Sequence, residues 1–179
     1  VTGAGGAHAE GIIFTLGTIY RIGKDGTGYE VVKSFGATAD SPKYPYGLLL
    51  ASDGAFYGAT GRAEHIFKYT MDGTLTGLPN AAGSPVPGIQ PFIEGSDGYF
   101  YSSHHQGQQV YRYARDGTSL TVLAGFPFQT YLAGEIAQAR DGSILAPSGG
   151  GGPHSGGGAL VILPDSTYHL LHAFNPLIQ

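Results

Sequence analysis

Histidine is unevenly placed in this chain of 179 residues. Five of the seven histidines, His8, His65, His104, His105 and His154, lie in or at the ends of loop-like Gly-, Ser- or Gln-containing stretches. Neutral imidazole is a favoured ligand for Zn, Cu, Ni and Fe, so loops of this kind that meet near one point are candidates for a divalent transition-metal centre. Glu10 and Glu64 stand close to His8 and His65. A carboxylate there could complete the ligand set or act as general base toward a metal-activated water. Tyr57 and Tyr101, at matching places in their segments, are candidate acids. The same residues admit plainer roles. His8 and His154 sit on glycine runs that hold a ligand poorly in place, and matching tyrosines on successive strands also serve to pack one sheet against the next. Ser102 and Ser103 beside His104 lack a separate orienting acid, which argues against a hydrolase triad. The glycine runs carry no Lys and open no helical pattern, which argues against a phosphate loop.

A second constellation suits binding rather than catalysis. Tyr44 and Tyr46 in PKYPYG, and Phe128 and Tyr131 in FPFQTYLAG, fall in connections between apolar runs. Aromatic side chains on such connections can stack on sugar rings or receive a protein partner, and they can equally plug the rim of a domain.

The elements that must position these groups are set by a ladder of Asp-Gly pairs. Asp53-Gly54, Asp97-Gly98 and Asp141-Gly142 mark a repeat of about 44 residues, each after an apolar run and before an aromatic or aliphatic one. A second turn follows within each repeat, in IFKYTMDGT, VYRYARDGT and LVILPDST, and IYRIGKDGT near the start carries the same element. Each unit reads as four short strands. The first is the most apolar and is expected to line the interior; the second pairs with it through an Asp-Gly hairpin; the third alternates; the fourth is the outer edge. No segment keeps a helical period. The fold expected is all-β: a β-propeller of four blades of about 44 residues, forming one domain over residues 1–179. Its blade units are about 1–40 plus 175–179, 41–84, 85–128 and 129–174. Pairing of the C-terminal strand with the N-terminal one would close the ring and remove its free edges. The alternative is a piece of a larger propeller, in which an open edge favours self-association or pairing with the rest of a longer chain.

Composition narrows the classes of function. With 31 Gly, 11 Pro, 12 Tyr and 9 Phe, and 41% hydrophobic residues, the chain is turn-rich yet able to form a core. A net charge of −4 with 9 Lys and Arg argues against a nucleic-acid groove. No apolar stretch is long enough to span a membrane. The absence of Cys removes disulfides, thiolate metal sites and cysteine nucleophiles. Low charge with abundant Gly, Ser, Thr and Tyr points to an extracellular or cell-surface location.

The runs GTIYRIGKDGTGYEVVKSF, YGLLLASDGAFYGAT and HAFNPLIQ resemble the GloVer-type tandem repeats of bacterial secreted and surface proteins. A looser likeness reaches streptogramin lyase and NHL-type propellers. The resemblance implies propeller-like blades and no shared catalytic motif, and the histidine-bearing loops depart from its usual Gly, Ser, Asn and Thr. The expectation is therefore a secreted or surface-associated module that recognises a glycan or protein partner. The alternative is a metal-dependent lyase or hydrolase that uses the loop histidines.

Overall fold

The structure, a computed structural model, describes residues 16–36, 42–60, 66–79, 92–104, 108–126, 132, 135–151 and 153–175. Every regular element among them is a strand. In chain order these are β1 (Thr18–Arg21), β2 (Glu30–Ser34), β3 (Pro45–Leu50), β4 (Phe56–Thr60), β5 (Ile66–Tyr69), β6 (Leu75–Gly77), β7 (Ile93–Glu94), β8 (Phe100–His104), β9 (Gln109–Tyr113), β10 (Leu120–Gly125), β11 (Ala137–Gln138), β12 (Ile144–Ser148), β13 (Gly158–Ile162) and β14 (Tyr168–Ala173). No helix of the described residues is long and apolar enough to cross a membrane.

The chain divides into two compact units, Val1–Val86 and Pro87–Gln179. The first holds a two-stranded sheet, β1-β2, and a four-stranded sheet, β3-β4-β5-β6. The second holds two four-stranded sheets, β7-β8-β9-β10 and β11-β12-β13-β14. All pairings are antiparallel between strands adjacent in sequence, so each four-stranded sheet is a meander. The architecture is thus all-β and blade-like. Among the described residues the four sheets are separate, with no ladder running from one into another. Residues 1–15 and 176–179, on which closure of a ring depends, lie outside the described residues.

The regularity of the meanders comes from one turn used seven times. In the hairpin between β3 and β4, the Gly54 N–H donates to the Ala51 carbonyl and Gly54 adopts φ 79°. Asp53 Oδ1 accepts the N–H of Ala55, two residues on. Asp25, Asp72, Asp97, Asp116, Asp141 and Asp165 make the same contact with the residue two positions later, all seven at 2.9–3.2 Å. The side chain mimics a backbone turn, and the following position must turn left-handed. Glycine fills that position in six of the seven. In the seventh it is Ser166, at φ 69°. A Cβ in this region is disfavoured. Ser166→Gly is therefore expected to stabilise the chain by about 0.5–1 kcal/mol, the steric relief less the extra freedom of glycine when unfolded. A higher urea midpoint checks this, and an unchanged or lower one would show that the serine is accommodated without strain.

The most apolar first strand does not carry the core: in β3, Leu48 and Leu50 are 37% and 59% exposed. β3 is an edge strand with a hydrogen-bonded neighbour on one side only, whereas β4 and β5 are flanked on both sides and almost wholly buried. The core of the first unit is Leu16, Ile19, Phe35, Phe67 and Tyr69, with Val32, Tyr44, Phe56 and Leu75 against it. In the second unit Tyr101, Val110, Leu132, Ile136, Ile144, Leu160 and Ile162 form the corresponding cluster. The core of the second unit draws chiefly on the second and third strands of its sheets, and that of the first on β5, on Ile19 of β1 and on Leu16 and Phe35 beside β1 and β2.

Candidate functional site

The second unit contains a cavity of about 250 Å³, lined by residues of both its sheets. Ser96 and Asp97 come from the β7–β8 turn, Tyr101 from β8, Arg112 from β9 and Leu123 from β10. Gln138 at the end of β11, Asp141 and Gly142 in the next turn, Ile144, Ile162, Leu163 and Pro164 complete it. Hairpin turns thus carry the polar rim, and strand interiors supply an aliphatic wall.

Antiparallel register sets the polar side. Tyr101 and Arg112 are directly opposite on β8 and β9. Both reach back to the turn: the Tyr101 hydroxyl donates to Asp97 Oδ2 at 2.7 Å, and Arg112 NH2 donates to the same oxygen at 2.7 Å. Asp97 Oδ1 accepts the Tyr99 N–H. The guanidinium also lies 3.6 Å from the centre of the Tyr99 ring, a cation–π contact that fixes its plane. Its Nε is buried and, among the described residues, has no hydrogen-bond partner. Partial burial pushes the Asp97 carboxyl up, but hydrogen bonds from Tyr101, Tyr99 and Arg112, with the Arg112 charge, outweigh it and hold the group below its ordinary value. Asp97 is ionised at neutral pH. Burial, then the hydrogen bond to Asp97, pushes Tyr101 up to about 12, which makes it a fixed donor to Asp97 and a poor proton source for chemistry.

The first unit repeats this arrangement. Asp53 Oδ2 accepts from the Tyr57 hydroxyl at 2.8 Å and from Lys68 Nζ at 3.2 Å. In the last sheet the pattern breaks, because Leu145 and Val161 occupy the paired positions. Asp141 keeps its turn contact with Ser143, which holds its carboxyl below the ordinary value. Among the described residues no basic side chain pairs with it. Gln138 ties the two sheets at the cavity: its Oε1 accepts the Ser96 N–H at 2.7 Å, and its Nε2 donates to the Gly142 carbonyl at 3.4 Å.

Of the residues singled out in the sequence, Tyr101 lines this cavity. His8, Glu10, Glu64, His65, His105, Phe128 and Tyr131 lie outside the described residues. His104 ends β8, its backbone opposite Gln109. His154 is exposed in the connection between β12 and β13. Tyr44 is half-buried against the core of the first unit, at φ 55°, and Tyr46 is 55% exposed on β3. Among the described residues no three His, Asp or Glu side chains gather in a way that could hold a metal ion. Asp97, Arg112, Gln138 and Asp141 went unmarked as site residues. One signal for the first pair was present, since the turn aspartate and the strand base stand fifteen residues apart in both Asp53/Lys68 and Asp97/Arg112.

No family model and no curated protein sequence matches the chain. Solved structures do. A catalytically inactive histidine-to-alanine variant of virginiamycin B lyase from Staphylococcus aureus, with quinupristin, is similar at TM-score 0.64 and 20% identity, over 89% of this chain and 50% of that one. A nidogen/laminin complex matches at TM-score 0.62 and 14% identity, over 88% and 59%. A gluconolactonase from Xanthomonas campestris matches at TM-score 0.56 and 15% identity, over 73% and 48%. The chain spans about half the length of these structures. At such identities the likeness is one of fold: propeller-type blades, shared by enzymes and by a protein of a binding complex.

Proposed function

We propose that this chain is a recognition module of a secreted or surface-associated protein and that it binds a glycan. One observation carries the reading: the cavity of the second unit sets fixed donors and acceptors against an aliphatic wall, all on hydrogen-bonded strands and tight turns. A mostly preformed hollow with a few convergent polar groups is the form of a binding site. Its tyrosine is locked to a carboxylate with a raised pKa, so its chemistry favours holding over proton transfer. The resemblance to GloVer-type repeats supports the secreted setting.

A glycan array probed with the whole chain, with and without chelator, tests this. Retention of a defined glycan group, unchanged by chelator, is the expected result. Failure to retain any glycan, with a protein captured from the native source instead, would move the reading to protein recognition.

A second reading, a metal-dependent lyase or hydrolase, is favoured by the fold likeness to a lyase that a histidine-to-alanine change inactivates. In this reading the loop histidines His8, His65, His104, His105 and His154 hold Zn, Cu, Ni or Fe, with Glu10 or Glu64 as base. Elemental analysis of the purified protein decides it. Near-stoichiometric metal that falls in His65→Ala is the outcome it requires, and sub-stoichiometric metal in both proteins ends it.

A further inference from the structure

We infer that the cavity of the second unit accepts one neutral pyranose ring of a glycan, and that Arg112 and Asp141 determine which ring is accepted. The inference rests on the reading of the chain as a glycan-recognition module and makes it specific. Size sets the first part. At about 250 Å³ the cavity falls below the roughly 300–1,000 Å³ of sites that enclose drug-sized molecules, which is room for about one ring.

Polarity sets the second part. Arg112 is held on one side by Asp97 and on the other by the Tyr99 ring, and its side chain, about one-third exposed, lines the cavity as a donor fixed in place. A guanidinium carries five N–H donors, so one that keeps its bond to Asp97 still offers donors to an acceptor that a ligand brings. Asp141 offers the complement. It stands where the two sister turns carry an aspartate already engaged by a tyrosine and a base, and here both partners are replaced by Leu145 and Val161. Its carboxylate remains an acceptor for hydroxyl donors. Gln138 bridges Ser96 and Gly142 between them and fixes their spacing. Ile144, Ile162 and Leu123 supply an aliphatic wall. A molecule that accepts from Arg112, donates to Asp141 and lays a C–H face on aliphatic side chains is a ring bearing adjacent hydroxyls. Two carboxylates against one guanidinium disfavour an anionic sugar.

The test uses the whole chain and free methyl pyranosides of glucose, galactose and mannose, with glucuronic acid as the charged comparison, as competitors of glycan retention and in titration calorimetry. One neutral pyranoside is expected to displace the glycan fully, and glucuronic acid to bind at least about 10-fold more weakly. Arg112→Lys keeps a positive charge near Asp97 but removes the guanidinium's planar fork of donors, and Asp141→Asn keeps the turn acceptor but removes the charge. Each is expected to weaken binding by about 10- to 100-fold. Asp53→Asn, in the first unit, leaves it unchanged, and thermal melts confirm that the variants are folded. If the glycan is retained but no single ring competes, and folded Arg112→Lys and Asp141→Asn bind as the parent does, the cavity is not the site while the recognition reading stands. Equal binding of glucuronic acid overturns the neutral-ring assignment. If the unchanged protein retains no glycan, both readings fall together.

Discussion

Truncating Phe67 to alanine is expected to lower the unfolding free energy by about 3–5 kcal/mol, the range for removing a large aromatic ring from a core. Phe67 is fully buried on β5, the inner strand of its sheet. Its ring meets Phe35 edge-on, with centroids 4.9 Å apart, and so joins the core to the segment that follows β2. The residue opposite on β4 is Gly58. A Cβ at Gly58 would run into the Phe67 ring and come within 2.8 Å of the Gly47 carbonyl oxygen. The ring therefore fills space that the glycine leaves open, and the two positions are one packing unit. Gly58→Ala alone is expected to cost about 1–3 kcal/mol by overpacking. In the Phe67→Ala background its cost falls, though not to zero, because the Gly47 carbonyl stays in place. A double-mutant cycle read from urea midpoints gives the coupling. Additivity within about 0.5 kcal/mol would show that the ring and the glycine do not share this space.

What could be read ahead of the structure follows from how local each feature is. The Asp-Gly ladder marks turns that are closed within five residues by the aspartate's own side chain, so strand order and hairpin pairing were open to inspection. Burial was less so. An apolar run such as Leu48-Leu49-Leu50 shows that a strand is hydrophobic but not whether it has neighbours on both sides, and β3 has one. The partnership of Asp97 with Arg112 lay half in view, because a hairpin of known register brings the two together from fifteen residues apart. The cavity did not. Its two walls meet through contacts such as that of Ser96 with Gln138, separated by forty-two residues, and depend on how two sheets pack. The histidines present the reverse case: their loops are visible in sequence, and their reach depends on loop geometry that sequence does not encode simply.

Removing the carboxylate of Asp97 is expected to destabilise the chain more than removing that of Asp53, although the two turns match. Asp97→Ala strips the partner from the Tyr101 hydroxyl, which lies in the core cluster, and from Arg112, whose Nε is already unpaired. Orphaned donors of this kind cost about 1–3 kcal/mol in all. Asp53→Ala takes one partner from Tyr57, which keeps its contact with Lys68, and Lys68 Nζ sits 3.2 Å from the carboxylate on a flexible stem that can turn to water, so a loss nearer about 1 kcal/mol is expected. Equal losses in urea unfolding would mean that the guanidinium finds another partner. The same carboxylate gives a pH signature. Asp97 has a folded pKa below its unfolded value, as do the other six turn aspartates, Asp25, Asp53, Asp72, Asp116, Asp141 and Asp165. For a depressed carboxyl the stabilisation is present above the unfolded pKa and is lost as pH falls through the folded one. The unfolding midpoint is therefore expected to hold from pH 7 to about 5 and then to fall steeply below about 4, where the unfolded chain takes up protons that the native turns refuse. Asp97→Asn, less stable at neutral pH, removes one of the seven, and its curve should approach that of the parent as the pH drops. A gap that stays constant down to pH 3 would show that the contribution of Asp97 comes from its shape and neutral hydrogen bonds rather than its charge.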